Sequence, residues 1–124
     1  MLVIIGSKDP YLASHIARIV REGGLHCIRT GKSERVLKEL KQPNKIAIID
    51  VNWTAAQEPG ALKRMVNIGR ISGNKLICIC PNQEEELKKL AKASRPAKTF
   101  IRYDLELDFK EYLKEIAVSP VRGR

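Results

Sequence analysis

The strongest chemical signal in this chain is an acid that directly follows a run of apolar residues. Ile46, Ala47, Ile48 and Ile49 run straight into Asp50, and Val51, Asn52 and Trp53 follow it. An unbroken, largely β-branched run suits a strand covered on both faces of a parallel sheet. A carboxylate just past such a run lies at the carboxyl edge, where open α/β sheets keep their ligand sites. Asp50 is therefore either a functional carboxylate or a solvated strand end. A second polar group follows the first apolar run: Leu2 to Ile5 leads into Gly6, Ser7, Lys8, Asp9 and Pro10. A loop opening a helix can bind an anion, which leaves a nucleotide- or phosphate-binding module as one reading. The match is thin, because neither Gly-x-Gly-x-x-Gly nor Gly-x-x-x-x-Gly-Lys-Ser/Thr is present. No Ser/His/Asp set, no nucleophilic Cys beside a His and no carboxylate pair at one strand edge appears, so no enzyme activity is expected. His15 and His26 read as surface or boundary residues rather than ligands.

The elements that must position these groups can be read in order. At 124 residues the chain fits one domain with a core that needs no staples. Five apolar runs alternate with five helix-like segments. After the first strand, Asp9-Pro10 opens a helix, with Asp as the cap and Pro at the first helical position. Leu12, Ile16, Ile19 and Val20 face inward, and Gly23-Gly24 stops it. Leu25 to Thr30 is a more polar second strand. Ser33 is expected to cap a short helix carrying Val36, Leu37 and Leu40. The loop from Val51 to Gly60 reads as irregular, and Ala61 to about Arg70 as a helix ended by Ser72-Gly73-Asn74. Leu76 to Cys80 is a fourth strand. Glu84 to Glu86 ahead of Lys88, Lys89 and Lys92 marks a helix with acids at its amino end. Thr99 to Ile101 is the fifth strand, and Asp108 is expected to cap a last helix with Phe109, Tyr112, Leu113 and Ile116. Residues 118–124 read as a tail, or the start of a linker to an output domain, after a domain spanning residues 1–117.

This alternation predicts an α/β fold: a flavodoxin-like, doubly wound five-stranded parallel sheet of order 2-1-3-4-5 with helices on both faces. That order brings Gly6, Ser7, Lys8 and Asp9 to face Asp50.

The bulk chemistry narrows the partners. No apolar run approaches a membrane span, and the opening residues read as a strand rather than a leader. Cys27, Cys78 and Cys80 sit in apolar runs and read as reduced, buried thiols, which points to a cytoplasmic setting. A net charge of +9 invites a nucleic-acid reading. The bases are scattered without interleaved aromatics, so nucleic-acid binding is not expected. One local excess stands out: Lys63, Arg64, Arg70 and Lys75 lie between Glu58 and Glu84 with no acid among them.

With the layout, the length and the third-strand ending Ile-Ile-Asp-Val-Asn-Trp in hand, the chain resembles the receiver domain of bacterial response regulators from Met1 to about Ala117. The resemblance implies that Asp50 falls on the phosphoacceptor aspartate of that family. It places Asn52 on the position whose backbone carbonyl binds the metal. The family's acidic pair becomes Gly6 and Ser7, its Ser/Thr becomes Cys80, its Lys becomes Arg102, and its proline becomes Tyr103. Mg²⁺ asks for near-octahedral oxygen ligands, and Asp50 alone supplies too little charge. No cofactor is therefore expected, Mg²⁺ binding being weak or absent; Asp9, Asp50 and Asn52 are the oxygen donors that remain. Asp9 either restores one acid or caps the helix, and the cap is its better use. Lys8 either reaches the vacated metal position and pairs with Asp50, or is a solvated loop lysine. Cys80 is a weak donor or simply a buried thiol. Trp53 is a lid over the site or, the better reading, a plug against the third helix.

The resemblance thus implies an atypical receiver acting in signal transduction or transcription regulation through protein contacts, without Mg²⁺-dependent aspartyl phosphorylation. The partner is a protein or an attached output domain, including a homodimer through the helix 4–strand 5–helix 5 face. A conventional phosphoacceptor with relaxed metal ligation stays open beside it.

Overall fold

The computed structural model describes residues 1–122, with side chains to Ala117. Its sheet has five parallel strands in the order β2-β1-β3-β4-β5. These are β1 (Leu2–Gly6), β2 (His26–Thr30), β3 (Lys45–Asp50), β4 (Lys75–Cys80) and β5 (Lys98–Ile101). The crossovers are α1 (Pro10–Glu22), α2 (Ser33–Leu40), α3 (Ala61–Ile71) and α4 (Glu85–Ser94), and α5 (Lys110–Arg122) follows β5. The expected strand order is what the structure has.

The inner strands β1, β3 and β4 carry unbroken apolar runs, yet the side chains of the sheet still sort with the period of two that a pleat imposes. Val3, Ile5, Ile46, Ile48, Ile77, Ile79 and Phe100 face α1 and α5, where Phe100 meets Phe109 edge-on at 5.6 Å. Ile4, Ala47, Ile49, Leu76, Cys78 and Cys80 face α2, α3 and α4 on the other side. Burial on both faces is why the sequence shows runs rather than alternation.

Three local expectations change. The loop after β3 is not wholly irregular: Thr54–Gln57 forms a one-turn helix, and the Gln57 side chain donates to the Val51 carbonyl at 3.1 Å. Ser33 does not cap α2. The cap position is Lys32, whose own amide is held by Thr30 Oγ1 at 3.0 Å, and Ser33 is the first helical residue. Asp108 does not cap α5 either. Arg102–Asp104 is a 3₁₀ turn running into a π turn, Leu105–Phe109, and then α5 without a break, which leaves Asp108 exposed inside the π turn. Two fully buried side chains, Leu105 and Phe109, anchor that segment, and a ladder of surface ion pairs runs beside them along α1. Its rungs are Asp9 with Arg102, Arg18 with Glu106, whose carboxylate also meets the His15 ring, and Glu22 with Lys110. The expected tail at 118–124 falls partly outside the described residues: α5 includes 118–122, and Gly123 and Arg124 are not described.

The opposite, amino-terminal edge of the sheet is tied by one side chain that the sequence marked only as a helix stop. Asn74 is 9% exposed. Its amide nitrogen donates to the carbonyls of Leu40 and Gln42 at 2.9 and 2.7 Å, and its oxygen accepts from the Lys45 amide at 2.9 Å. The α3–β4 turn thereby fixes the α2–β3 turn and the start of the central strand. Replacing Asn74 with Ala leaves a buried N–H and two carbonyls without partners and should cost about 2 kcal/mol. Urea unfolding checks this, and a loss within experimental error would mean that water or the chain re-satisfies the turn.

Candidate functional site

The register sets the site. Gly6 is opposite Ile49 across the β1–β3 pair, so the next residues, Ser7 and Asp50, leave the sheet side by side. Both are buried, at 8% and 5% exposure. The Ser7 hydroxyl donates to Asp50 Oδ2 at 2.7 Å, and the Asn52 amide donates to Asp50 Oδ1 at 3.0 Å. The Ser7 oxygen in turn accepts the Asp9 amide at 3.0 Å. Each oxygen of Asp50 thus has a neutral donor.

Asp9 is a cap and not a second ligand of the same cleft. Its Oδ1 accepts the amides of Tyr11 and Leu12 at 3.0 and 3.2 Å, and its Oδ2 pairs with the Arg102 guanidinium at 3.1 Å. The amino end of α1, considered above for an anion, already holds this carboxylate. Partial desolvation works to raise the Asp9 pKa, but the Leu12 and Tyr11 amides and the Arg102 charge outweigh it and hold the carboxyl below the usual range.

The other positions fall as follows. Arg102 reaches the site only through Asp9. Tyr103 is 77% exposed, and its amide donates to Asn82 Oδ1 at 2.9 Å, a bond that proline at this place could not make. The pairing of Lys8 with Asp50 is not found: Lys8 is exposed, and its alkyl stem lies over Gly31. Asn52 gives its amide to Asp50, and its side chain is exposed. Trp53 is the plug, 3% exposed and packed with the α2–α3 face of the core. Sequence reasoning missed how far this plug reaches. A Cβ on Gly6 would stand 2.9 Å from both Ile49 Cδ1 and Trp53 Cζ3, so no side chain fits at that position unless they move. The glycine itself was the only signal.

This donor set does not suit Mg²⁺. One carboxylate is hydroxyl-bonded and buried, the other is spent on a helix end and an arginine, and among the described residues no group of three His, Cys, Asp or Glu converges.

Burial pushes the Asp50 carboxyl upward; the Ser7 hydroxyl and Asn52 amide pull it back only in part, and nearby Asp9 raises it where Arg102 lowers it. The sign follows. A carboxyl whose folded pKa lies above its unfolded value, about 3.9, stabilises the fold fully below that value and loses the contribution as pH rises through the folded one. At neutral pH ionised Asp50 opposes folding. Asn fits with its donor and acceptor reversed, since Ser7 Oγ has a lone pair to spare. Asp50→Asn should therefore melt higher than the parent at pH 7, and the gap should close towards pH 4 in thermal melts.

Burial likewise pushes the Cys80 thiol up to about 11 and Cys78 up to about 12. The Cys80 thiol faces the Leu87 carbonyl at 3.9 Å, not the Asp50 carboxylate. Thiolate is the reactive form. A thiol-disulfide reagent should titrate half-exposed Cys27 in the native protein and all three cysteines after unfolding.

No family profile matches this chain, and no curated protein sequence matches it. Solved structures do. A response regulator receiver domain protein (CheY-like) of Methanospirillum hungatei superposes with a TM-score of 0.70 at 15% identity, covering 92% of this chain and 94% of that one. A response regulator receiver domain of Rhodospirillum rubrum gives 0.67 at 11% identity, over 94% and 90%. A candidate pilus assembly protein (cpaE) of Burkholderia thailandensis gives 0.61 at 16% identity, over 100% and 99%. Such identities speak for architecture and leave the site to be argued from its own residues. The chain therefore has the flavodoxin-like fold of CheY-like receiver domains.

Proposed function

We propose that this receiver-fold chain is a signalling module that works through protein contacts and not through Mg²⁺-dependent phosphorylation of Asp50. One observation carries the reading: a neutral hydroxyl, Ser7, stands 2.7 Å from the phosphoacceptor-equivalent carboxylate, where phosphoryl transfer would need a metal-holding acid. Phosphoryl transfer to a carboxylate needs cationic charge against the transferring oxygens. Arg102, whose charge acts on Asp50, is committed to Asp9. At the position before Ser7 an acid would have to displace Ile49 and Trp53. With Asp50 held by two neutral donors, its part is to join β1 to the β3 loop. No enzyme activity and no cofactor belong to this reading.

The contact surface we assign is the α4–β5–α5 face, continued onto the turn between β5 and α5. Tyr103 and Leu107 on that turn are 77% and 67% exposed, and large apolar groups held out in water favour a partner. That partner is a second copy of the chain or an attached output domain in a cytoplasmic pathway, with transcription regulation as its end. Nucleic acid and membrane play no part. No helix among the described residues is long and apolar enough to cross a membrane.

Incubation with acetyl phosphate and Mg²⁺, followed by intact mass measurement, tests the proposal. The expected spectrum is unchanged, and beryllofluoride with Mg²⁺ should leave the melting midpoint where it was. A phosphoryl mass increment that disappears in Asp50→Asn would defeat the reading. Ser7→Asp supplies the missing charge and should acquire a Mg²⁺-dependent rise in melting midpoint that the parent lacks.

A further inference from the structure

The acid-free stretch noted between Glu58 and Glu84 acquires a location in the fold. Arg70, in the last turn of α3, and Lys75, the first residue of β4, line one cleft together with Arg95, which follows α4. The cleft has a volume of about 290 Å³ and lies at the amino-terminal edge of the sheet, opposite the edge that carries Asp50. No Asp or Glu lines it, and among the described residues none of its three cations has an ion-pair partner, although ten pairs form elsewhere. The Arg70 guanidinium donates to the Arg95 backbone carbonyl at 3.1 Å, which ties the end of α3 to the end of α4.

Neutralising helix dipoles explains only part of this. Bases at helix ends offset the exposed carbonyls, and that accounts for Arg70. It does not account for Lys75, which starts a strand. Arg95, the residue that ends α4, offsets that helix's carbonyls as well, but it holds φ at 57°, where the backbone favours glycine or asparagine. Three unpaired like charges around one concavity repel each other unless an anion sits among them. Pro96 and the edges of Val66 and Leu76, which are 5% and 3% exposed, add a narrow apolar wall to the same cleft, and its volume is near the lower end of small-ligand sites.

We propose that this cleft binds a small phosphorylated ligand of the nucleoside di- or triphosphate class, with Arg70, Lys75 and Arg95 on the phosphates and the apolar wall against the rest. The arginines supply forked donors suited to phosphate oxygens, and Lys75 supplies a point charge. The proposal is independent of the chemistry at Asp50 and stands or falls without it.

Amide and arginine side-chain NMR spectra of the full chain, titrated with adenosine triphosphate, guanosine triphosphate and inorganic pyrophosphate, test it. Saturable shifts should centre on Gly73, Asn74 and Ala97 around the cleft, with a dissociation constant below about 1 mM for a nucleotide. Pyrophosphate should bind more weakly, because it cannot use the apolar wall. Arg70→Gln and Lys75→Gln should each weaken nucleotide binding about tenfold, whereas Lys38→Gln, the same charge change on the exposed side of α2, should not. Arg95→Gly separates folding from binding: it should melt higher than the parent, because glycine suits the positive φ, and yet bind less. Absent shifts, shifts spread over the basic surface, equal weakening by Lys38→Gln, or tighter binding of pyrophosphate than of either nucleotide would each overturn the proposal. So would a single-stranded oligonucleotide that outcompetes the nucleotides, since the cleft would then be part of a nucleic-acid surface.

Discussion

The hydrogen bond from Ser7 to Asp50 decides what the carboxyl edge of this sheet can do. A buried carboxylate must be met by a cation, a metal or donors that share its charge. Here it is met by a hydroxyl and a backbone amide. That solution is modest in strength, which is why burial still lifts the carboxyl above its usual range. It is nevertheless complete in geometry, with both oxygens occupied, the hydroxyl passing its other side to the Asp9 amide, and Asp9 closing the chain of contacts at the start of α1. The neighbouring Gly6 is pressed by Trp53 and Ile49, so the strand end that could project a second acid is filled by indole and methyl groups instead. The indole has its own cost: its N–H is buried without a partner among the described residues.

The parts of the fold that were legible in the sequence are those set by periodic burial. Uninterrupted runs such as Ile46 to Ile49 and Leu76 to Cys80 identify strands covered twice, and the spacing between them admits parallel crossovers and little else. Asp9-Pro10 marked the start of α1 because cap chemistry is local. What escaped was set by contacts distant in sequence. Ser33 has the residue type of a cap, but the chain direction leaving Thr30 puts Lys32 at that place. Asp108 has it too, yet Leu105 and Phe109 draw the segment onto the core and start the helical path six residues earlier, at Arg102. Asn74 read as a turn residue, and its three partners lie 29 to 34 positions away.

The site was legible in outline and not in its pairings. Strand order put the first and third loops together, and Asp50 with them. Lys8 was the candidate partner for Asp50, and Arg102 entered only as the position that the resemblance gives to the family's lysine; both are long, flexible cations whose reach the sequence does not fix. Arg102 wins a carboxylate because the turn after β5 packs along α1, whereas Lys8 leaves the sheet pointing to solvent. The two ends of the sheet therefore differ in character. The carboxyl edge is closed by neutral donors and an internal ion pair, and the amino edge leaves three cations open. A net charge of +9 is thus not spread evenly over solvated faces.

On the reading proposed above, the Ser7 hydroxyl stands beside Asp50 where metal binding would need an acid. The most direct measurement is paramagnetic broadening of amide NMR signals by Mn²⁺, which occupies Mg²⁺ sites and acts only over short distances. At substoichiometric Mn²⁺ the account predicts no selective loss at Ser7, Asp50 or Asn52 relative to the rest of the surface. Early, selective disappearance of those three signals, reversed by excess Mg²⁺, would contradict it.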